Sequence, residues 1–234
     1  AIFESAKELN VPIIIGVSEW EREFVGVKTA AALIKSLREE YDYPIFLNAD
    51  HTHSFEKIKQ AVDAGFDAVL FDGGKLPLEE NIRQTKEFVE YVKSKNPNIL
   101  VEGEMGYIGT SSTVFKEIPK GAAIEEKDMT KPEEALEFIN ATKIDILAPA
   151  VGNFHGLVGN SPKTTASPEH IRLIKNAVKI PLVLHGGSGT TDDIFNNAIL
   201  SGINVIHVNT EIRVGWRRGI DKSLKNNPEE VVPY

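Results

Sequence analysis

The chain has no cysteine in its 234 residues. That removes disulfides and thiolate metal sites, so any metal must be held by His, Asp or Glu. It also accords with a cytoplasmic location. No stretch approaches the roughly 18 consecutive apolar residues of a membrane-spanning helix, and no basic-plus-apolar start marks a signal peptide. Positive charge is in deficit: 26 Lys and Arg face 34 Asp and Glu, a net charge of −8, which argues against nucleic acid as the main partner. An anionic small substrate stays open, because a metal ion and helix dipoles can make one site locally positive. What is present is 41% apolar content, enough to bury the core of an α/β protein, and residues 1–234 read as a single domain.

Short apolar runs alternate with helical patterns along the chain. Helical spacing over residues 1–10 leads to Ile13-Ile14-Ile15-Gly16-Val17, read as a buried strand. A helix from Glu21 to Glu40 follows, with Phe24, Val27, Ala31, Ile34 and Leu37 on one face. The strand Ile45–Ala49 delivers Asp50-His51-Thr52-His53, and Ser54 caps a helix that Gly65 ends. Ala68–Phe71 ends in Asp72-Gly73-Gly74; a helix with Ile82, Thr85, Val89 and Val92 leads to the strand Ile99–Glu104. From Gly106 to Asp128 periodicity is lost, and a loop of that length in a compact domain is usually functional. Thr130–Glu133 reads as a capping box opening a helix over Leu136 and Ile139. Ile144–Ala148 runs into Asn153-Phe154-His155-Gly156, Gly159–Ala166 reads as a polar turn or lid, and Ser167-Pro168 starts a helix. Leu182-Val183-Leu184 precedes His185-Gly186-Gly187-Ser188-Gly189, and Asn204–Val208 precedes Asn209-Thr210, with a last helix over 212–225.

Strict alternation implies a parallel sheet covered by helices, and polar clusters at nearly every strand's carboxyl end favour a (β/α)₈ barrel over an open doubly wound sheet. The chain opens on a helix and its tail carries no closing element, so the barrel is expected to lack its first strand and its C-terminal end.

His51, His155 and His185 each follow a strand, and three imidazoles at one rim would suit Zn²⁺ with an open position; each also reads as an ordinary capping or core histidine. Asp50 reads as an acid/base group or as a turn aspartate. Asp72, Glu102 and Glu104 read equally as ligands of a second cation, as groups that orient ligands, or as partners in salt bridges. Gly186–Gly189 and Asn209-Thr210 offer N–H and hydroxyl donors where barrels bind phosphate, and Arg213 lies one helical turn beyond Asn209. His170 reads as a surface residue, Trp20 and Trp216 as packing residues, and His53 and His207 either way. A Schiff-base mechanism would need a buried lysine at a strand end, and only Lys75 is near one.

Five segments in order, Asn48–His51, Val101–Gly109, Ala150–Gly156, Leu184–Gly189 and Val208–Glu211, resemble the signature segments of class II, metal-dependent fructose-bisphosphate aldolases. The resemblance implies a (β/α)₈ barrel, dimeric or larger, that cleaves a ketose bisphosphate into dihydroxyacetone phosphate and an aldehyde. It implies His51, His155 and His185 as Zn²⁺ ligands, Asp50 as acid/base on the C4 hydroxyl, and Asp72 and Glu104 at an alternative metal site. Gly156, Gly186, Ser188, Asn209 and Thr210 would hold the dihydroxyacetone phosphate end. Arg213 matches a position that, in some members, reaches the distal phosphate of a neighbouring subunit's substrate. Two positions depart from the family pattern: His207 stands where Asn is usual, and Asn209 where fructose-specific members often carry Asp. A tagatose-bisphosphate or other ketose-bisphosphate aldolase, a metal-dependent hydrolase on the same fold and a non-catalytic phosphosugar-binding fragment stay open as alternatives.

Overall fold

The computed structural model describes residues 2–109, 113–117, 125–159, 166–226 and 228–229. Most of the expected lid at 159–166, parts of the 106–128 loop and most of the tail therefore lie outside the described residues. The chain runs α1 (Ile2–Leu9), β1 (Ile13–Ser18), α2 (Glu19–Val25), α3 (Val27–Tyr41), β2 (Ile45–Thr52) and α4 (Phe55–Ala64). It continues with β3 (Ala68–Phe71), α5 (Leu78–Lys95), β4 (Leu100–Met105) and the two-residue β5 (Val114–Phe115). After these come α6 (Pro132–Thr142), β6 (Ile146–Pro149), β7 (Leu157–Val158) and α7 (Pro168–Val178). The last elements are β8 (Leu182–Leu184), α8 (Asp192–Ser201), β9 (Ile203–Ile206) and α9 (Thr210–Asn226). Two compact units emerge: Ala1–Met105 with Glu133–Ala148, and Gly106–Pro132 with Pro149–Tyr234.

In the first unit the strand order is β1-β2-β3-β4-β6, and the pairings from β1 to β4 are parallel. Registers Gly16↔Asn48, Ser18↔Asp50 and Leu70↔Glu102 sort the side chains by face. Leu47, Ala49, Val69 and Val101 are buried on one face, while the other carries Asn48, Asp50, Glu102 and Glu104. The apolar face fills the core; the polar face collects the chemistry at the strand ends. Ser54 caps α4 by accepting from Lys57 N, and Gly65 ends it in the left-handed region.

Several expectations are corrected here. Among the described residues β1 is an edge strand paired with β2 alone, and accordingly Ile14 is exposed and no residue of β1 is fully buried. The helix expected over 21–40 is two helices, because Gly26 (φ 93°, ψ 128°) ends α2. The buried positions are then Arg22, Ala30 and Ile34, while Phe24 is 89% and Trp20 79% exposed. On α6 the buried face is Ala135, Phe138 and Thr142, one step out of phase with Leu136 and Ile139. Thr130 lies two residues before α6, and its hydroxyl accepts from Ala150 N at 3.0 Å.

In the second unit β8 pairs parallel with β9, and β5 pairs parallel with β7. α7 starts as expected, with Ser167 accepting from His170 N and Pro168 in the first turn. His170 is not a plain surface residue: its Nε2 donates to the Thr130 carbonyl at 2.8 Å. Trp216 is 72% exposed on α9, where Thr210 is the buried residue, so it is not a packing residue among the described residues.

Candidate active site

In the first unit Asp50, His51, Asp72 and Glu104 meet at the strand ends. β2 continues through Thr52, and its register against β3 shifts between Ala49↔Val69 and Thr52↔Phe71, so that Asp50 and His51 together span the stretch opposite Leu70. This bulge turns His51 into the left-handed region at φ 40°. The ring's Nδ1 then lies 2.9 Å from Asp72 Oδ2 and 3.7 Å from Glu104 Oε2, while Nε2 lies 3.9 Å from Asp50 Oδ2. Asp72 is fixed by its own N–H, which donates to Thr52 O at 2.9 Å. Glu104 is fixed by Asn81, whose Nδ2 donates to the Glu104 carbonyl at 2.8 Å.

The charges explain the protonation. Glu104 is 1% exposed; burial first, then the Asp72 charge, holds its carboxyl well above the usual carboxylate range. Burial pulls the His51 imidazole down, but Asp50, the Asp72 hydrogen bond and Glu104 together push it up to about 10. With Nδ1–H directed at Asp72, ligation falls to Nε2, the arrangement by which a carboxylate orients a metal-binding histidine. The candidate ligand atoms of His51, Asp72 and Glu104 all lie within 4.8 Å of one another, so these three also suit a cation by themselves.

In the second unit His155 and His185 meet at a ring-centroid distance of 5.5 Å, edge to face. Their segments are in backbone contact: a Cβ on Gly186 (φ 66°) would lie 2.2 Å from Phe154 O. His185 is 1% exposed, and its carbonyl accepts from Asn153 Nδ2 at 3.0 Å; Asn153 Oδ1 in turn accepts from Val151 N. Sequence reasoning passed over Asn153, since a polar residue in a strand-end loop gives no sign that it will be buried. The His207 ring lies on His185 at 4.2 Å, tilted by 34°. Imidazoles without thiolates are a donor set that fits Zn²⁺.

The residues expected from the sequence to hold phosphate are connected as well. Ser188 Oγ accepts from Asn209 N at 3.1 Å and Glu211 N at 3.3 Å, tying the Gly-rich turn to the start of α9. Asn209 Oδ1 accepts from Arg213 Nε at 2.9 Å, and Thr210 is buried. Gly156 sits beneath Phe115 and Thr113 O, too close to admit a Cβ. Lys75 is exposed, which removes the one lysine considered for a Schiff base.

The family model for class II fructose-bisphosphate aldolase matches residues 1–234. A fructose-bisphosphate aldolase of Geobacillus stearothermophilus is 35% identical over 236 aligned residues, covering 100% of this chain and 78% of that protein. A 6-phospho-5-dehydro-2-deoxy-D-gluconate aldolase of Halalkalibacterium halodurans is 33% identical, covering 100% of this chain and 78% of that protein. The crystal structure of the YdjI aldolase from Escherichia coli K12 superposes with a TM-score of 0.78 at 28% identity, covering 98% of this chain and 76% of the other. The expected α/β barrel class is thus borne out, over about three quarters of the length of these relatives. The ordered motifs, the parallel strand–helix alternation and the full-length match agree: the chain belongs to the class II fructose-bisphosphate aldolases, a lyase family.

Proposed function

We propose that this chain is a Zn²⁺-dependent ketose-bisphosphate aldolase working as one domain over residues 1–234, with fructose 1,6-bisphosphate as substrate. It cleaves that sugar reversibly to dihydroxyacetone phosphate and glyceraldehyde 3-phosphate, a glycolytic step in the cytoplasm. The observation that carries the reading is the His51 ring, held through Nδ1 by Asp72 at 2.9 Å with Asp50 beside Nε2. His51, His155 and His185 are the Zn²⁺ ligands in this reading, with Asp72 and Glu104 orienting His51 and offering an alternative cation site. When bound, Zn²⁺ supplies Lewis-acid polarisation of the ketose carbonyl.

Asp50 moves the proton. Its carboxylate takes the C4 hydroxyl proton as the C3–C4 bond breaks; the bond's electron pair stays with C3, and C4 becomes the aldehyde carbon. A proton delivered to C3 completes dihydroxyacetone phosphate, and Glu117, exposed on the 106–128 segment, is the carrier we assign. Gly156, Gly186, Ser188, Asn209 and Thr210 hold the phosphate, where α9's first N–H groups and dipole favour an anion. Arg213 serves the distal phosphate of a neighbouring subunit's substrate in a homodimer or larger assembly.

A second reading has its own support: the gluconate-type aldolase is nearly as similar as the fructose enzyme, and Asn209 departs from the fructose-specific pattern. Tagatose bisphosphate or another ketose phosphate is then the substrate. One experiment tests both. Purified protein is assayed on fructose and tagatose bisphosphates before and after chelation, with borohydride added in parallel. The expected result is cleavage abolished by the chelator, restored by Zn²⁺ or Co²⁺, and no trapped adduct. Chelator-resistant cleavage with a covalent adduct at a lysine would overturn the zinc reading.

A further inference from the structure

Arg22 is a charged residue at 2% exposure, on a helix whose Trp20, Glu23, Phe24 and Val25 are exposed. Burying a guanidinium is unfavourable unless its donors are met, so its partners show what it does. Nη1 donates to Val17 O and to Asp50 O, the latter at 3.0 Å, and Nη2 donates to Thr52 Oγ1 at 2.7 Å. Thr52 is fully buried, and its hydroxyl donates onward to Ala49 O at 3.2 Å. These acceptors bracket the β2 bulge on both sides of His51, the residue held at φ 40°.

The helix that carries Arg22 is itself anchored to the same strand ends. Ser18, the last residue of β1, makes a capping box with Glu21, and Glu19 accepts from His53 N at 3.0 Å. α2 therefore grips positions 50, 52 and 53 while leaving 51 to turn. A lysine would supply the charge but not the planar fork that reaches two strand ends and a hydroxyl together.

We infer that Arg22 is a positioning residue: through Asp50 O and Thr52 Oγ1 it holds the β2 bulge in the one conformation that aims His51 at Asp72 and sets Asp50 beside the ring. The consequence for turnover rests on the aldolase reading; the consequence for His51 does not. The test therefore has two arms on the full chain, with Arg22→Lys and Thr52→Val as variants. In metal-free protein, ¹⁵N-histidine NMR reads the His51 Nδ1–H held by Asp72. The expected result is a slowly exchanging His51 N–H in the native sequence that is lost in both variants, while the His170 N–H to Thr130 persists as an internal standard. In the second arm, Zn²⁺ affinity is expected to fall at least tenfold and kcat at least thirtyfold in Arg22→Lys, with KM within threefold and smaller losses of the same pattern in Thr52→Val. If Arg22→Lys does not fold, Thr52→Val carries both arms. An unchanged His51 signal in the folded variants, or a kcat unchanged per folded molecule alongside a lowered Tm, overturns the proposal. If the native protein cleaves no ketose bisphosphate yet the variants still lose the His51 signal, the positioning role stands and the aldolase reading falls.

Discussion

Asp50 and Asp72 are two carboxylates on adjacent strand ends with different partners, and that difference separates their roles. Asp72 Oδ2 is 2.9 Å from His51 Nδ1, whereas Asp50 Oδ2 is 3.9 Å from Nε2 and makes the looser contact. Asp50→Ala is expected to leave metal content and fold intact and to lower kcat by about 10²–10⁴-fold, the usual worth of a proton-transfer group. Asp72→Ala is expected to weaken Zn²⁺ binding by about 10–100-fold, because an unoriented imidazole is a poorer ligand. Metal analysis and initial rates on the two variants check this; zinc lost in Asp50→Ala with zinc retained in Asp72→Ala would exchange the assignments.

At the scale of elements, the second unit depends on a backbone approach no side chain survives. Gly186 sits at φ 66° with Phe154 O where its Cβ would be, whereas Gly65 sits at φ 88° with nothing within 4 Å. Both substitutions to Ala meet left-handed strain of about 1–2 kcal/mol. Only Gly186→Ala also pushes the His155 and His185 segments apart. Urea unfolding is expected to show Gly65→Ala losing about that strain and Gly186→Ala losing clearly more, with the 5.5 Å ring contact disturbed and activity lost. Equal losses would show that the close approach relaxes at little cost. Ser54 with Gly65 and Ser167-Pro168 were legible because caps act within one turn. The break at Gly26 was not, because the apolar spacing runs through it and a lone glycine in a helical pattern is usually tolerated.

For the molecule as a whole, the buried charges predict how stability depends on pH in the absence of metal. The His51 imidazole is raised from its unfolded value of about 6.5 to about 10, so the native state binds that proton more tightly. Its stabilisation is complete below about pH 6.5 and is lost as the pH rises through about 10. Glu104, raised by burial, acts in the same direction from the carboxylate range upward. Chelator-treated protein is thus expected to lose Tm steadily between pH 6.5 and 10, with a flatter profile in His51→Asn; matching profiles would remove His51 as the source. Zn²⁺ competes with the same proton, so saturating metal is expected to flatten the native profile too.

The sequence by itself determined the alternation of strands and helices, the strand-end location of Asp50, His51, His155 and His185, and the family, because each rests on local periodicity or on short ordered motifs. Only the tertiary structure decided which polar groups are buried and what they touch. Arg22 lies among Glu19, Glu21 and Glu23, where nothing local marks it for burial; Val17 O is close in sequence, but its other two acceptors come from residues 28 and 30 positions away. Trp20 and Phe24, apolar by composition, are left facing outward by the same rotation of α2 that buries the guanidinium. The physical reason is one and the same: periodicity is written within a few residues, whereas burying a charge requires hydrogen-bond partners that only folding brings within 3 Å of it.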